Sequence, residues 1–310
     1  MLIRAGATAL SMAALMLSAC SADASGEASE ATRLLQVTAA FYPLQYVAER
    51  VGGDAVEVTS LTPPGAEPHD LELTPQDLAQ LQESDLVVYL SGLQPAVDEA
   101  VTQTSGLAAL DAADSAHLED PDSAVETKHP DSHSDHGGSD PHFWLDTERL
   151  SDVAAAVEEA MAEADPDQAE VFTDNLAELR RDLRDLDKEY ATGLAECAVT
   201  SLVTAHESFG YLARRYGMAQ VGIAGISPNA EPDPQQLASD ADLVKAEGVR
   251  TIYTETLVSP AVAQTVAEER GAQTAVLDPL EGLTDDSTGS DYLTVMRENL
   301  RILRTGQKCR

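Results

Sequence analysis

Aromatic residues make up only 4% of this 310-residue chain, with a single Trp. The cores must therefore rest on Leu, Val, Ile and Ala. Basic residues are scarce as well: 19 Lys and Arg stand against 54 Asp and Glu, a formal net charge of −35. That balance argues against nucleic acid and anionic lipid head groups as partners and favours cations, although general surface acidity explains it equally well. No His-Glu-x-x-His spacing occurs, which removes the helix-borne zinc-hydrolase pattern; Glu207 beside His206 is the one place that invites it. Only three Cys are present, none in Cys-x-x-Cys spacing, which argues against a thiolate metal site. Hydrophobic residues are nonetheless 43% of the chain, so it is not disordered as a whole, and its length allows two domains.

No apolar run reaches the roughly 20 residues of a membrane span. The longest, Ala5 to Leu17, follows Arg4 and leads into Leu17-Ser18-Ala19-Cys20, which reads as an export signal over residues 1–20. A small-residue cleavage site ending in Cys resembles a bacterial lipobox, which would make Cys20 the lipidated N-terminus; a plain secretory signal with an incidental Cys20 is the alternative. Cleavage removes one Arg and no acid, leaving 18 − 54 = −36. Residues 21–33 are small, polar and acidic, as in a flexible tether. Cys197 and Cys309 then remain as an even pair in an oxidising compartment, most simply a disulfide pinning the C-terminal segment.

The rest alternates between strand and helix patterns. Strands are expected at 34–40, 56–61 and 86–90, with helices at 41–51 and from Pro75, where Thr74 is the N-cap. Residues 111–141, rich in Asp, Ser, His, Pro and Gly, read as a long loop. From Asp165 to Glu196, apolar residues recur at Ala169, Phe172, Leu176, Leu179, Leu183, Leu186, Tyr190 and Leu194, one stripe on one long helix. Beyond it come strands at 201–205, 221–225, 251–254 and 274–277, interleaved with helices at 209–216, 234–247, 260–270 and 292–305. The pattern gives an α/β fold of two Rossmann-like lobes, 34–147 and 197–310, joined by a helical segment over 148–196 whose long helix is rigid, with a metal site in the interlobe cleft.

Seven histidines are unevenly spread. Five, His117, His129, His133, His136 and His142, fall in one short stretch, while His69 and His206 stand alone in well-formed motifs. His69 lies in Glu67-Pro68-His69-Asp70-Leu71-Glu72-Leu73-Thr74-Pro75, past a strand and before a capped helix. Asp140-Pro141-His142-Phe143-Trp144-Leu145-Asp146 is a second unit, and Thr204-Ala205-His206-Glu207-Ser208-Phe209-Gly210-Tyr211-Leu212 a third at a strand end. Leu277-Asp278-Pro279-Leu280 is the fourth. Open α/β sheets place ligands at such strand ends. His117, His129, His133 and His136 sit in a solvated tract that needs no function; weak accessory metal capture is the alternative.

These motifs together resemble the metal-binding solute receptors of the zinc/manganese ABC-transporter family, the ZnuA-like and adhesin-like lipoproteins, over residues 34 to 310. The resemblance implies a metal site of His69, His142, His206 and Asp278, though members differ in the fourth ligand and some use water or another carboxylate. It implies Zn²⁺ rather than Mn²⁺, because manganese members tend to have Glu where this chain has His206, and three imidazoles with one carboxylate suit tetrahedral zinc. It further implies a non-enzymatic, monomeric extracytoplasmic receptor, anchored by lipid, that serves an ABC permease and its ATPase. Manganese transport or surface adhesion are the alternative roles.

Overall fold

The computed structural model describes residues 33–119, 139–228, 234–285 and 287–310. Cys20, residues 21–32 of the expected tether, His129, His133 and His136 lie outside the described residues. Residues Leu34–Arg310 form one compact unit.

The first half builds a parallel sheet of β1 (Leu35–Ala39), β2 (Val56–Ser60), β3 (Leu86–Tyr89) and β4 (Ala109–Asp111) in the order β2-β1-β3-β4. Register pairs Leu35 with Val56 and Val37 with Leu86. The second half repeats it with β5 (Ser201–Thr204), β6 (Ala219–Gly222), β7 (Thr251–Thr254) and β8 (Gln273–Val276) in the order β6-β5-β7-β8, all parallel. The central strands β5 and β7 are buried at every position, because a parallel sheet is covered by helices on both faces. In both sheets the chain leaves the first strand to one side and returns on the other, so the crevice at the strands' carboxyl ends is a ligand position in each half.

Helices α1 (Tyr42–Gly52), α2 (Pro75–Glu83) and α3 (Pro95–Gln103) cover the first sheet, each with Pro in its first turn. The expected N-cap of α2 is present as a reciprocal box: Asp77 N–H donates to Thr74 Oγ1, and Thr74 N–H to Asp77 Oδ2. One expectation needs correction. The stretch 111–141 is not wholly loop, since β4 ends at Asp111 and α4 (Ala112–Ala116) follows at once, burying Ala112 and Ala116 completely. The small side chains that read as loop let this turn of helix pack close. The helix expected over 165–196 opens as a 3-10 turn over Pro166–Gln168 and runs as α6 over Ala169–Gly193, after α5 (Thr147–Ala164) has ended. Pro166 lacks the N–H and clashes with the preceding turn, so it cannot continue α5.

The stripe on α6 is as expected from Phe172 on, with Phe172, Leu176, Leu179, Leu183, Leu186, Tyr190 and Leu194 all buried and Ala169 half-buried. It packs against α1, α5 and α10 (Tyr292–Gly306), so one helix touches elements of both halves. Tyr190 Oη donates to Met296 O at 2.6 Å, and Arg50 on α1 meets Asp182 at 2.7 Å. Helices α7 (Gly210–Arg215), α8 (Pro234–Ala246) and α9 (Ala261–Arg270) complete the second half. Trp144, the single Trp, is fully buried and ties the halves: its Nε1–H donates to Pro279 O at 2.8 Å, and Tyr292 Oη donates to Trp144 O at 2.6 Å.

Cys197 and Cys309 are disulfide-bonded, as the sequence suggested, closing a sequence separation of 112. Crosslinking a loop of that size restricts the unfolded chain by about 4–5 kcal/mol in the chain-entropy account, with measured values of about 2–4. Cys309→Ser is expected to lower the unfolding free energy by about 2–4 kcal/mol in a denaturant titration. Reductant should shift the wild-type midpoint to that of the variant and leave the variant unmoved. Among the described residues no helix is long and apolar enough to cross a membrane.

Candidate metal centre

Each histidine sits in a loop held by local hydrogen bonds to a neighbouring carboxylate. His69 follows β2 through a Pro-rich turn; Glu67 Oε1 accepts the His69 N–H at 3.0 Å and Glu67 Oε2 the Asp70 N–H at 3.2 Å. Burial pushes the Glu67 carboxyl up, only partly opposed by that His69 N–H. His142 precedes a 3-10 turn over Phe143–Leu145 whose three residues are buried. Asp140 Oδ1 accepts from both the His142 N–H, at 3.0 Å, and the Nδ1 side of its ring, at 2.9 Å. His206 lies two residues past the end of β5; its N–H donates to Glu255 Oε1 at 3.1 Å and its Nδ1 lies 2.5 Å from Glu255 Oε2. Glu255 itself immediately follows β7. A carboxylate thus stands at the Nδ1 side of two rings and each Nε2 is turned to the cluster, the arrangement that metal-ligating histidines use.

The three rings meet at one carboxylate. Glu281 Oε1 lies 3.2 Å from His206 Nε2, 3.3 Å from His142 Nε2 and 3.5 Å from His69 Nε2. A tetrahedral ion with ligands at about 2.0–2.1 Å has edges of about 3.3–3.4 Å. The separations are therefore the spacing that one such ion would set. His142 and His206 are fully buried, Glu281 is 1% exposed, and the His69 side chain is 10% exposed, which puts His69 at the mouth. The four facing atoms, three Nε2 and Glu281 Oε1, are buried with no partner of hydrogen-bond geometry. Orphaned buried polar atoms are rare, and four converging on one point are the donor set of a metal site.

Charge agrees. Burial pulls the His206 imidazole down, but Glu255 and Glu281 outweigh it and push it up to about 10. Burial opposes His142 too, and Asp140 with Glu281 raises it. Burial would push Glu281 up, yet the three imidazoles beside it hold it well below the usual carboxylate range. Without an ion, a proton therefore occupies the cluster at neutral pH, and metal must displace it. Affinity should fall by about one log unit per pH unit on acidification and keep rising above pH 8, whereas ordinary imidazoles near 6.5 would level off by then. Calorimetry in two buffers of different ionisation enthalpy checks this; no proton release at pH 7.5 would contradict it.

The structure groups Glu281, and not the expected Asp278, with the three histidines. Asp278 is buried in the same loop, outside that group, and both its oxygens are engaged: Oδ1 accepts the Leu280 N–H at 2.8 Å and Oδ2 the Ser287 hydroxyl at 2.9 Å. Burial raises its carboxyl, with these donors opposing. Asn299 brackets its backbone from both sides. Asp278 thus forms the turn that holds Leu280 at φ 59° and delivers Glu281 three residues on. A positive φ at a buried Leu is a strained conformation that the surroundings must enforce, and it falls beside the site. The missed signal was Asp278-Pro279 itself: Asp before Pro is a turn former whose carboxylate is taken up by the turn, leaving the next carboxylate as the free one. Asp140 and Glu255 were missed as ring-orienting partners. His117 is exposed, 4.0 Å from Asp152, and is not part of the cluster.

Two parallel-sheet lobes thus bring three imidazoles and one carboxylate together as a group that could hold one metal ion. Residues 37–306 match the family model for ZnuA, the zinc-uptake complex component A, periplasmic, and the chain belongs to that family. The zinc-binding protein AdcA of Streptococcus pyogenes is 35% identical over 285 residues, covering 87% of this chain and 55% of AdcA. The chain thus spans little more than half the length of that relative. The high-affinity zinc uptake system protein ZnuA of Bacillus subtilis is 32% identical over 305 residues, 94% of this chain and 93% of that one. Among solved structures, the Zn(II)-bound ZnuA-like domain of Streptococcus pneumoniae AdcA superposes with a TM-score of 0.72 at 32% identity, covering 89% of this chain and 99% of that domain.

Proposed function

We propose that this protein is the extracytoplasmic receptor of a metal ABC importer, capturing Zn²⁺ with His69, His142, His206 and Glu281 and passing it to a membrane permease powered by its ATPase. The observation that carries the reading is the set of four buried, unpartnered ligand atoms, with Glu281 Oε1 3.2–3.5 Å from the three ring nitrogens. Three imidazoles and one carboxylate select a tetrahedral borderline ion; Mn²⁺ prefers more oxygen ligands and a larger shell. Four protein ligands also leave no open position for a reactive water, which fits cargo binding and not hydrolysis. The names of the zinc-binding relatives support the same metal. In this reading Cys20 carries the lipid anchor, residues 21–33 are its tether, and the receptor acts as a monomer outside the membrane. The histidines at 117, 129, 133 and 136 are accessory to the site.

A chelator-competition titration tests the proposal. One equivalent of Zn²⁺ should bind far more tightly than Mn²⁺, and deletion of residues 117–136 should leave that equivalent in place. A cell lacking the protein should grow poorly under zinc chelation and recover with added zinc, not manganese. Tighter Mn²⁺ binding, or zinc binding that vanishes with the loop alone, would overturn it.

A further inference from the structure

Asp140 orients His142, and a second structure holds Asp140. Tyr211, on α7 of the second half, donates its hydroxyl proton to Asp140 O at 2.8 Å and accepts the Glu119 N–H at 2.8 Å. Asp140 N–H donates in turn to Glu119 O at 3.0 Å. Glu119 and Ser139 are the described residues that border the histidine-rich segment, and Asp140 is the next one on, so one hydroxyl fastens both sides to the second lobe.

The ring carrying that hydroxyl is itself clamped. The Arg149 and Arg214 guanidinium carbons lie 4.5 Å and 4.6 Å from its centroid. Both arginines reach Glu119, Arg149 by a close ion pair and Arg214 at 3.6 Å, and Arg149 also donates to the carbonyls of Ala116 and His117. Gly210 completes the fit: a Cβ there would lie 2.8 Å from Asp140 Oδ2 and would push the carboxylate from its place. Tyr211 is 2% exposed, and burial pushes its hydroxyl up to about 12, so it remains a donor at all working pH values.

We infer that Tyr211 is a positioning residue for the metal site: it holds Asp140 across the lobe boundary, and Asp140 in turn holds the His142 ring in register with the ion. The inference rests on His142 being a ligand, as proposed above. It implies that separation of the two lobes breaks the Tyr211–Asp140 bond and frees the His142 ring in the same movement. The bracket therefore governs how fast the ion leaves more than how fast it arrives.

The test uses the full-length protein with Zn²⁺ and a fluorescent chelator, in four variants: Tyr211→Phe, Asp140→Asn, both together, and His142→Ala. Partners that orient a metal-ligating histidine are worth about 10–100-fold in affinity. Tyr211→Phe should lose that much, almost wholly as faster release, with the association rate unchanged. The double variant should be no weaker than Asp140→Asn alone, because both substitutions cut one chain of bonds. A merely structural role would instead multiply the two losses, and it would lower the metal-free melting temperature without altering the release rate. Wild-type release from Tyr211→Phe while His142→Ala is impaired would overturn this inference alone. Unchanged binding in His142→Ala would overturn the ligand assignment on which it rests.

Discussion

Replacing His206 by alanine is expected to weaken zinc binding by about a hundred- to a thousandfold. The estimate divides the roughly 10–16 kcal/mol of a four-ligand zinc site among its ligands, about 2.5–4 kcal/mol each, at about 1.4 kcal/mol per decade. His206 is the ring with the most to lose, since it stands between two buried carboxylates, Glu255 2.5 Å from Nδ1 and Glu281 3.2 Å from Nε2. The substitution removes the cation that both anions face in the metal-free protein, and stranding a buried charge costs about 3–5 kcal/mol. Two readouts should therefore move together: zinc affinity by competition and the metal-free melting temperature downward. Chelator should lower the melting temperature of wild type strongly, because bound metal stabilises only the folded state, and scarcely that of the variant. A variant that still binds one equivalent with wild-type affinity would remove His206 from the ligand set.

The second large effect separates the two acids of one loop. Glu281→Gln keeps the side chain's shape and removes its charge, and should also cost about a hundred- to a thousandfold in zinc affinity on the same per-ligand reckoning. With that anion gone, the His206 ring loses one of the two carboxylates that raise it, so the affinity profile should level off at lower pH than in wild type. Asp278→Asn should behave differently. Asp278 shapes the turn through Leu280 N–H and the Ser287 hydroxyl, so its replacement removes buried hydrogen bonds worth about 1–3 kcal/mol of stability. Its effect on zinc should be the smaller, about tenfold, in the range of partners that act through a ligand. The reverse ranking, with Asp278→Asn the more damaging to binding and Glu281→Gln mild, would restore Asp278 as the ligand.

The comparison of these two residues shows what was legible in the sequence. The histidines were readable because each sits in a short motif whose neighbours do local work: Thr74 caps the helix after His69, Asp140 and Pro141 set up His142, and β5 ends at Thr204 just before His206. Strand and helix order was readable from periodicity, and the stripe on α6 lies buried where it was expected. Glu281 was not readable, because choosing between acids three residues apart depends on where the backbone turns. That turn is enforced by Asn299 on α10 and by the left-handed Leu280, neither of which has a local signature. Glu255 was hidden for a related reason. It lies 49 residues from His206 in the chain and meets it only because β5 and β7 are neighbours in the sheet. The short helix α4 was lost to composition, since its small and acidic residues look like the polar tract that follows.

Zinc K-edge X-ray absorption on the protein loaded with one equivalent of Zn²⁺ tests the central claim most directly. The account predicts four light-atom neighbours at about 2.0–2.1 Å, three of them with imidazole outer-shell scattering, no sulfur, and loss of one imidazole in His206→Ala. A five- or six-coordinate, oxygen-rich shell, or an imidazole count unchanged in that variant, would contradict it.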